Sequence, residues 1–278
     1  MMQRIAKLII VSRILSWPLV ALLFLTGVAV SKAEITPLLL LDLMLASTLL
    51  PLVVFGVNDV FDYHSDSLNR RKRSIISGLP LRKEDHAFVL SAAALASAAL
   101  LGFSLYRGNL TGVIAIALAL AISWGYSMKG IRLKEIPVAD SLSNAALFWA
   151  VILLGFSHGG TLQAFPTSIY FASLGAAAAH AIGAVMDYTP DKRAGLRTIA
   201  TCFGKRLASL FAAAIMLLIL LLSGIRNNYL LSIVYYAIAA SLVIAAHPKE
   251  KLARYLALGG FLVTLLFIAA FLYQQFYK

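Results

Sequence analysis

Residues 38–66 read LLLLDLMLASTLLPLVVFGVNDVFDYHSD, a long apolar run that ends in a group of polar and acidic side chains. The apolar part is long enough to cross the hydrocarbon core of a membrane, which takes about 20 helical residues. The whole chain is 61% hydrophobic and 13% charged, whereas a soluble domain is about half apolar and about a quarter charged. The segment therefore indicates a membrane helix with a polar site at one end.

Similar apolar runs recur along the whole chain and leave no stretch for a soluble domain. The predicted spans are residues 9–30, 36–60, 84–106, 110–128, 137–157, 165–187, 206–224, 228–246 and 252–275. The predicted fold class is therefore all-α: a polytopic membrane protein with nine transmembrane helices. We expect residues 1–278 to form a single membrane-embedded domain.

Basic side chains are divided unevenly between the two ends of these spans. Twenty of the 24 Lys and Arg residues fall in the N-terminal segment and in the loops after spans two, four, six and eight. The remaining four are Lys32, Arg107, Arg226 and Lys278. Because cytoplasmic loops carry an excess of Lys and Arg, we expect a cell-membrane protein with a cytoplasmic N-terminus and an external C-terminus. The net charge of +12 then reflects loops at a lipid bilayer, and no nucleic-acid partner is expected.

The first acidic motif comprises Asn58, Asp59, Asp62 and Asp66 at the end of span two. In a continuing helix, residues four apart share a face, so three of these form one oxygen-rich stripe with Asp59 beside it. Neighbouring carboxylates repel one another, and magnesium prefers oxygen ligands shared with substrate phosphates. An ordinary solvated helix end is the weaker interpretation, since the chain has only 12 acidic residues. We predict that all four residues are metal ligands and that Asp62 and Asp66 are catalytic.

A second acidic pair, Asp187 and Asp191, ends span six and is followed by Lys192 and Arg197. Pro190 predicts a kink or helix end, so the two acids need not share a face. Alone, the pair is equally compatible with an ordinary loop. By the predicted topology, however, both motifs lie at the cytoplasmic face. We predict that Asp187 and Asp191 are catalytic and bind magnesium ions that also contact the diphosphate. Lys192 and Arg197 would then bind the remaining charge of that diphosphate.

This combination predicts a particular reaction. Metal ions and cationic side chains stabilise a leaving diphosphate, and an allylic C–O bond then ionises to a carbocation that a dry cavity protects. Aromatic faces stabilise cations, and Trp124, Tyr126, Trp149 and Tyr170 are candidates. The predicted cofactor is Mg2+.

The motifs at 58–66 and 187–191, the Ser-Gly pair at 77–78, and Gly195 with Thr198 resemble those of the UbiA superfamily of intramembrane prenyltransferases. The resemblance covers essentially the whole chain. It implies a helical bundle around a central cavity that opens to lipid. It also implies an isoprenoid diphosphate and a hydrophobic or aromatic acceptor as substrates.

The resemblance also implies diphosphate contacts outside the acidic motifs. Tyr126 matches a family Tyr between spans four and five, and the downstream Lys is either Lys129 or Lys134, with the segment 131–137 favouring Lys134. Many members carry Arg-Pro before Ser-Gly, whereas here Arg73 is followed by Ser. Arg73 is therefore a predicted contact with which neighbouring cations compete. These are Arg70, Arg71 and Lys72.

Four further polar residues have two interpretations each. Asn144 and Asp140 are four apart in span five and either contact substrate or pair with neighbouring helices. His180 either lines the cavity or is a satisfied core histidine. Arg13 faces either an acceptor pocket or the membrane interface.

Alternative functions predict different patterns. A transporter or channel predicts polar residues along several spans, and a phosphatidyl transferase for CDP-activated lipids predicts an Asp-Gly-x-x-Ala-Arg run that this chain lacks. The acceptor stays open: an aromatic ring, a glycerol phosphate lipid as in archaeal ether-lipid synthases, or a polyene. The last class, the carotenoid elongases, has a similar Asn-Asp-Val-Phe-Asp-Tyr first motif.

Overall fold

The computed structural model describes residues 2–63 and 81–276, and within these ranges the regular structure is entirely helical. The α-helices are α1 (Met2–Val11), α2 (Trp17–Ser31), α3 (Pro37–Phe61), α4 (His86–Tyr106), α5 (Leu110–Ser127), α6 (Ala139–Phe156), α7 (Thr167–Ser173), α8 (Gly175–Met186), α9 (Tyr188–Arg193), α10 (Ile199–Phe203), α11 (Lys205–Leu222), α12 (Asn228–Ala246) and α13 (Glu250–Phe276). The predicted all-α fold is confirmed.

In the described part of the chain, eight helical segments are long and apolar enough to cross a membrane. They are Ile14–Ser31, Pro37–Phe61, Lys83–Tyr106, Leu110–Ser127, Ala139–Phe156, Thr167–Met186, Lys205–Leu222 and Asn228–Ala246. Each corresponds to one predicted span. The ninth predicted span lies within α13, which is not one of the eight, so the prediction of nine spans is not confirmed.

The first predicted span, residues 9–30, contains a break in the structure. Helix α1 ends at Val11, Arg13 adopts a left-handed backbone conformation with φ 51°, and a short 3-10 turn covers Ile14–Ser16. Helix α2 then starts at Trp17 with a proline in its first turn, where the missing N–H breaks no helical hydrogen bond. The sixth predicted span is also interrupted, because Leu174 separates α7 from α8.

The chain divides into two compact units, and the boundary between them falls within α6. The first unit comprises residues 1–132 and 150–164. Its central helix is α3, which packs against α1, α2, α4 and α5. Leu50, Val53 and Val57 on α3 are fully buried. The prediction of a single domain stays a prediction.

Two glycines bring α2 and the end of α6 into backbone contact within the first unit. A Cβ atom on Gly155 would lie 1.9 Å from the carbonyl oxygen of Phe24, and one on Gly27 would lie 2.0 Å from that of Ile152. Small residues permit such close helix packing in membranes, where dispersion forces depend on contact. The two helices can therefore cross only with glycine at both positions.

The second unit comprises residues 133–149 and 165–278. Helix α8 packs against α11 and α13, and α11 packs against α12. The shared core contains five alanines with no exposed surface, Ala181, Ala200, Ala208, Ala212 and Ala253. These short side chains allow the helices to approach closely, and they position the C-terminal end of α8, where the second acidic motif begins.

Candidate active site

The first acidic motif lies where α3 ends. Asn58 and Asp59 occupy its last turn, and Asp62 caps it with a backbone N–H that donates to the Asn58 carbonyl at 2.9 Å. The regular helix α3 ends at Phe61, one residue before Asp62. Asp59 and Asp62 are both buried, with 4% and 7% of their surface exposed.

Asn58 and Asp59 are held by neighbouring side chains of the same unit. The Ser127 hydroxyl, at the end of α5, donates to Asn58 Oδ1 at 3.0 Å. Arg13 Nη2 donates to Asp59 Oδ1 at 2.9 Å. The Arg13 side chain is 16% exposed. The sequence analysis missed this ion pair, because nothing in a linear pattern relates residues 46 positions apart.

The donor set of the first motif fits magnesium. Its side chains offer an amide oxygen from Asn58 and carboxylate oxygens from Asp59 and Asp62, and hard divalent cations bind such oxygens. Within residues 2–63 and 81–276, no three His, Cys, Asp or Glu side chains form a metal-binding group. The third acid of the motif, Asp66, lies outside these ranges.

The second motif lies at the junction between α8 and α9. Asp187 separates the two helices with φ −103° and ψ 10°. The backbone N–H of Asp191 donates to the Asp187 carbonyl at 2.9 Å, so the two acids are one helical turn apart. The expected break at Pro190 falls instead at Asp187, because the proline lies in the first turn of α9, where it is tolerated.

The basic loop after the second motif is tied to that motif by its backbone. The Leu196 N–H donates to the Asp191 carbonyl at 3.0 Å, and Gly195 supplies the left-handed turn with φ 73°. Thr198 caps α10 in a reciprocal capping box with Thr201, which satisfies otherwise unpaired N–H groups. The predicted diphosphate contacts Lys192 and Arg197 are both exposed.

Lys129 and Lys134, the two candidates for the diphosphate-binding lysine after Tyr126, differ in burial. Lys129 is exposed, whereas Lys134 is buried with 7% of its surface accessible, in the 3-10 turn Leu133–Glu135. Tyr126 is half-buried in the last turn of α5. A buried lysine is held in place by its surroundings, which favours Lys134 as the more fixed cation.

Asp140 is a buried anion that the sequence analysis treated as ambiguous. Its Oδ2 accepts from the Ile199 N–H at 2.8 Å, and its Oδ1 accepts from the Ser141 N–H at 2.7 Å. The Ser141 hydroxyl lies 3.2 Å from His180 Nδ1. The Asn144 amide donates to the Asp140 carbonyl at 2.9 Å. The Ile199 contact favours the helix-pairing interpretation for Asp140, and the Ser141 contact favours the core interpretation for His180. The Asn144 amide bonds within its own helix and favours neither of its interpretations.

The aromatic candidates mainly contact one another. Trp149 and Tyr170 stack with ring centroids 5.4 Å apart, and Phe165 meets both rings edge-on at 6.0 and 5.2 Å. Trp124 donates through Nε1 to the Ser97 hydroxyl at 3.2 Å. Helix packing therefore accounts for the positions of these rings.

Five other predicted positions lie outside the described residues: Asp66, Arg70, Arg71, Lys72 and Arg73.

A second polar cluster lies at the opposite end of α3. Asp42, 2% exposed, forms an ion pair with Arg107 Nη1 through Oδ2, and His158 Nε2 lies 3.0 Å from the same oxygen. Arg107 Nη2 donates to the Ser157 hydroxyl at 3.0 Å. Burial lowers the pKa of Arg107, and Asp42 opposes this shift. The sequence analysis identified none of these contacts.

A polytopic helical protein with acidic motifs at two helix ends belongs to the class of integral membrane enzymes that act on charged, lipid-linked substrates. Residues 19–255 match the model of the UbiA prenyltransferase family. The chain therefore belongs to the UbiA prenyltransferase family, and the prediction of a multi-pass membrane prenyltransferase is confirmed. The transporter and phosphatidyl transferase alternatives are not favoured.

Two sequence relatives belong to carotenoid biosynthesis. The chain is 30% identical over 211 residues to a lycopene elongase/hydratase of Corynebacterium glutamicum, which covers 74% of this chain and 72% of that protein. It is 36% identical over 166 residues to the C(50) beta-cyclic carotenoids biosynthesis protein LbtBC of Dietzia sp.. That match covers 59% of this chain but only 38% of the relative.

A solved structure supports the fold. A UbiA homologue from Archaeoglobus fulgidus, bound to DMAPP and Mg2+, superimposes with a TM-score of 0.69 at 23% identity, over 95% of this chain and 96% of that one. The predicted membrane fold thus matches a family structure over nearly its whole length.

Proposed function

We propose that the protein transfers a prenyl group from an isoprenoid diphosphate to a linear polyene acceptor in a Mg2+-dependent reaction. One observation carries this proposal: in a chain of this family, Asp62 and Asp187 each cap the end of an apolar helix. Each belongs to a group of acidic residues spaced three or four apart. Carboxylates at a helix end can bind a metal diphosphate while the apolar chain stays in the membrane.

The proposed metal ligands are Asn58, Asp62 and Asp66 of the first motif and Asp187 and Asp191 of the second. Bound magnesium supplies positive charge to the leaving diphosphate. We also propose contacts to the diphosphate from Tyr126 and from the lysine that follows it, Lys134 or Lys129. The remaining proposed contacts are the cations Lys192, Arg197, Arg71, Lys72 and Arg73. Arginine suits phosphate because its planar fork binds two oxygens at once.

The proposed reaction proceeds by ionisation. The bond between C1 of the prenyl group and the diphosphate oxygen breaks, and its electron pair leaves on the diphosphate. A double bond of the acceptor then supplies the electron pair of the new C–C bond to C1, and the resulting cation loses a proton. The apolar helices around the site exclude water, which would otherwise capture the allylic cation.

The choice of a polyene acceptor rests on two observations. The first motif begins Asn-Asp-Val-Phe-Asp-Tyr at residues 58–63, the form that resembles carotenoid elongases. The relative with 30% identity over three quarters of the chain is named a lycopene elongase/hydratase. A digeranylgeranylglyceryl phosphate synthase of Methanosarcina mazei is 29% identical over 74% of this chain, which makes a glycerol phosphate lipid the second candidate acceptor.

The proposed orientation places the N-terminus and both acidic motifs at the cytoplasmic face. The distribution of Lys and Arg supports this orientation. It can be tested with Cys202, the single cysteine of the chain, which is exposed in α10 just after the second motif. A membrane-impermeant maleimide should label Cys202 in inverted vesicles and not in intact cells. Labelling in intact cells would contradict the orientation.

The reaction is tested with purified protein, Mg2+, dimethylallyl or geranylgeranyl diphosphate, and lycopene, with products identified by mass spectrometry. We expect a prenylated polyene. Asp62→Ala and Asp187→Ala should each lower turnover by at least about 100-fold, the scale of losing one group that stabilises transition-state charge. Glu84→Ala is the matched control, because Glu84 is an exposed acid outside both motifs.

Two outcomes would contradict different parts of this proposal. Wild-type turnover in both aspartate variants would contradict the two-motif site. Prenylation of an aromatic ring or a glycerol phosphate lipid, with lycopene left unchanged, would contradict the acceptor while leaving the diphosphate chemistry intact.

A further inference from the structure

Asp59 of the first motif has a cationic partner from a distant part of the chain. Asp59 accepts a hydrogen bond from Arg13 at 2.9 Å, although Arg13 lies 46 residues earlier in the chain, at the break between α1 and α2. We propose that Arg13 is a positioning residue that neutralises Asp59 and keeps it from acting as a magnesium ligand. The inference rests on the proposed function, because it concerns the charge that the first motif presents to a metal diphosphate.

Burial makes this ion pair consequential. The side chains of Arg13 and Asp59 are 16% and 5% exposed, so water screens their attraction only weakly. Removing one partner of a buried pair leaves an uncompensated charge, which is strongly unfavourable. Loss of Arg13 would therefore leave more negative charge at Asp59, which lies three residues before Asp62 and would add to the attraction for a divalent metal there.

A second contact holds the guanidinium on the same face of α3. The guanidinium carbon lies 4.1 Å from the ring centroid of Phe55, which precedes Asp59 by four residues. Residues four apart share a helix face, and a cation over an aromatic ring is attracted to it. Arg13 therefore contacts α3 at two successive turns, which fixes its position relative to the motif.

The backbone at the helix break directs Arg13 toward α3. Its φ of 51° and ψ of 72° are left-handed, a conformation that costs a non-glycine residue free energy and is often retained at functional sites. The Arg13 N–H donates to the Ile10 carbonyl at 3.0 Å, and the Ser16 N–H donates to the Arg13 carbonyl at 2.6 Å. The break between α1 and α2 thus holds the arginine from both sides.

The consequence concerns charge. The first motif carries three carboxylates, and the Arg13 contact neutralises one of them. Asp62 and Asp66 then remain as the carboxylates for magnesium. If Arg13 did not balance the charge of Asp59, the motif would attract the free metal ion more strongly and would repel the negatively charged diphosphate. Charges a few Å apart in a partly buried site interact by several kcal/mol, so changes of about tenfold in binding constants are expected.

The test measures binding of Mn2+, a paramagnetic substitute for Mg2+, by EPR, with and without pyrophosphate. Arg13→Met should bind Mn2+ at least about tenfold more tightly without pyrophosphate and should bind pyrophosphate about tenfold more weakly. Arg13→Lys, which keeps the charge, should fall between Arg13→Met and wild type. The double variant Arg13→Met/Asp59→Asn should return to wild-type metal binding, because both the carboxylate and its partner are absent.

Arg107→Met is the matched control, because Arg107 forms the other buried Arg–Asp pair of the same unit. It should lower the melting temperature and leave Mn2+ binding as in wild type. If the role of Arg13 were purely structural, Arg13→Met would likewise lower the melting temperature and leave Mn2+ binding unchanged. Unchanged Mn2+ and pyrophosphate binding in Arg13→Met would therefore overturn the proposal.

Asp59→Asn provides an independent test should Arg13→Met fail to fold. If Asp59 is not a ligand, Asp59→Asn should keep the wild-type number of Mn2+ sites, whereas Asp62→Asn should lose one. Loss of a site in Asp59→Asn would overturn the Arg13 proposal and leave the proposed function standing. Failure of the wild-type protein to bind Mn2+ and pyrophosphate at all would overturn both.

Discussion

Helix α3 carries a buried Arg–Asp pair at each end, and the two pairs differ in their surroundings. Near its start, Asp42 is held by Arg107 and His158, and Arg107 also donates to Ser157. Near its end, Asp59 pairs with Arg13, whose guanidinium lies over an aromatic ring. The first pair includes a histidine, whereas the second lies three residues before Asp62 in the first acidic motif.

The two arginines also differ in backbone and in hydrogen bonding. Arg107 has ordinary right-handed angles at the end of α4, whereas Arg13 is left-handed. Within the described residues, the Nε atom of Arg13 is buried without a hydrogen-bond partner. Satisfied buried networks make a structure rigid, and retained strain is more often associated with function. The comparison therefore assigns a structural role to the Asp42 cluster and a functional one to Arg13.

Arg107→Met should have the largest effect on stability. It leaves Asp42 and His158 buried without their main cation, which should lower the free energy of unfolding by about 3–5 kcal/mol. Thermal unfolding in detergent would measure the loss. A melting temperature within error of wild type would remove the structural role assigned to this end of α3.

Gly155→Ala should have the next largest effect, because the added methyl group would overlap the Phe24 carbonyl. Overpacking typically costs about 1–3 kcal/mol, and displacement of α6 would also weaken the contact between His158 and Asp42. Gly102→Ala is the matched control, since nothing lies within 4 Å of its Cβ position. Equal melting temperatures for the two variants would show that α2 and α6 do not cross as described.

His158→Ala should have a smaller effect, because Arg107 still pairs with Asp42. Loss of one buried hydrogen bond costs about 1–2 kcal/mol. The free energy of unfolding would be compared with that of Arg107→Met. A loss as large as that of Arg107→Met would indicate that the histidine and the arginine are equally important to the cluster.

Lys7→Met should have the smallest effect of the series. Lys7 pairs with Asp85 at 2.5 Å, but its side chain is 37% exposed, and exposed ion pairs contribute little. We expect a melting temperature and Mn2+ binding indistinguishable from wild type. A shift in Mn2+ binding like that expected for Arg13→Met would show that any cation near α1 has this effect, and the special role of Arg13 would be lost.

Sequence patterns located the membrane helices and placed the acidic motifs at helix ends. Eight predicted spans correspond to helices, because hydropathy over some 20 residues is a local property that does not depend on packing. The structure decided that Asp187 and Asp191 lie one turn apart, because the sequence left open whether Pro190 ends the helix between them. Local rules failed at Arg13 and Asp187, where the chain departs from helical geometry inside or at the end of an apolar run.

The composition and order of the residues alone determined that this chain is helical, crosses a membrane several times and carries oxygen ligands beside basic loops. Tertiary structure alone decided which charges meet. Arg13 reaches Asp59 across 46 positions, and His158 reaches Asp42 across 116. No periodicity encodes such distances, because they depend on how helices pack. That packing decides which acids of the chain meet a buried cation.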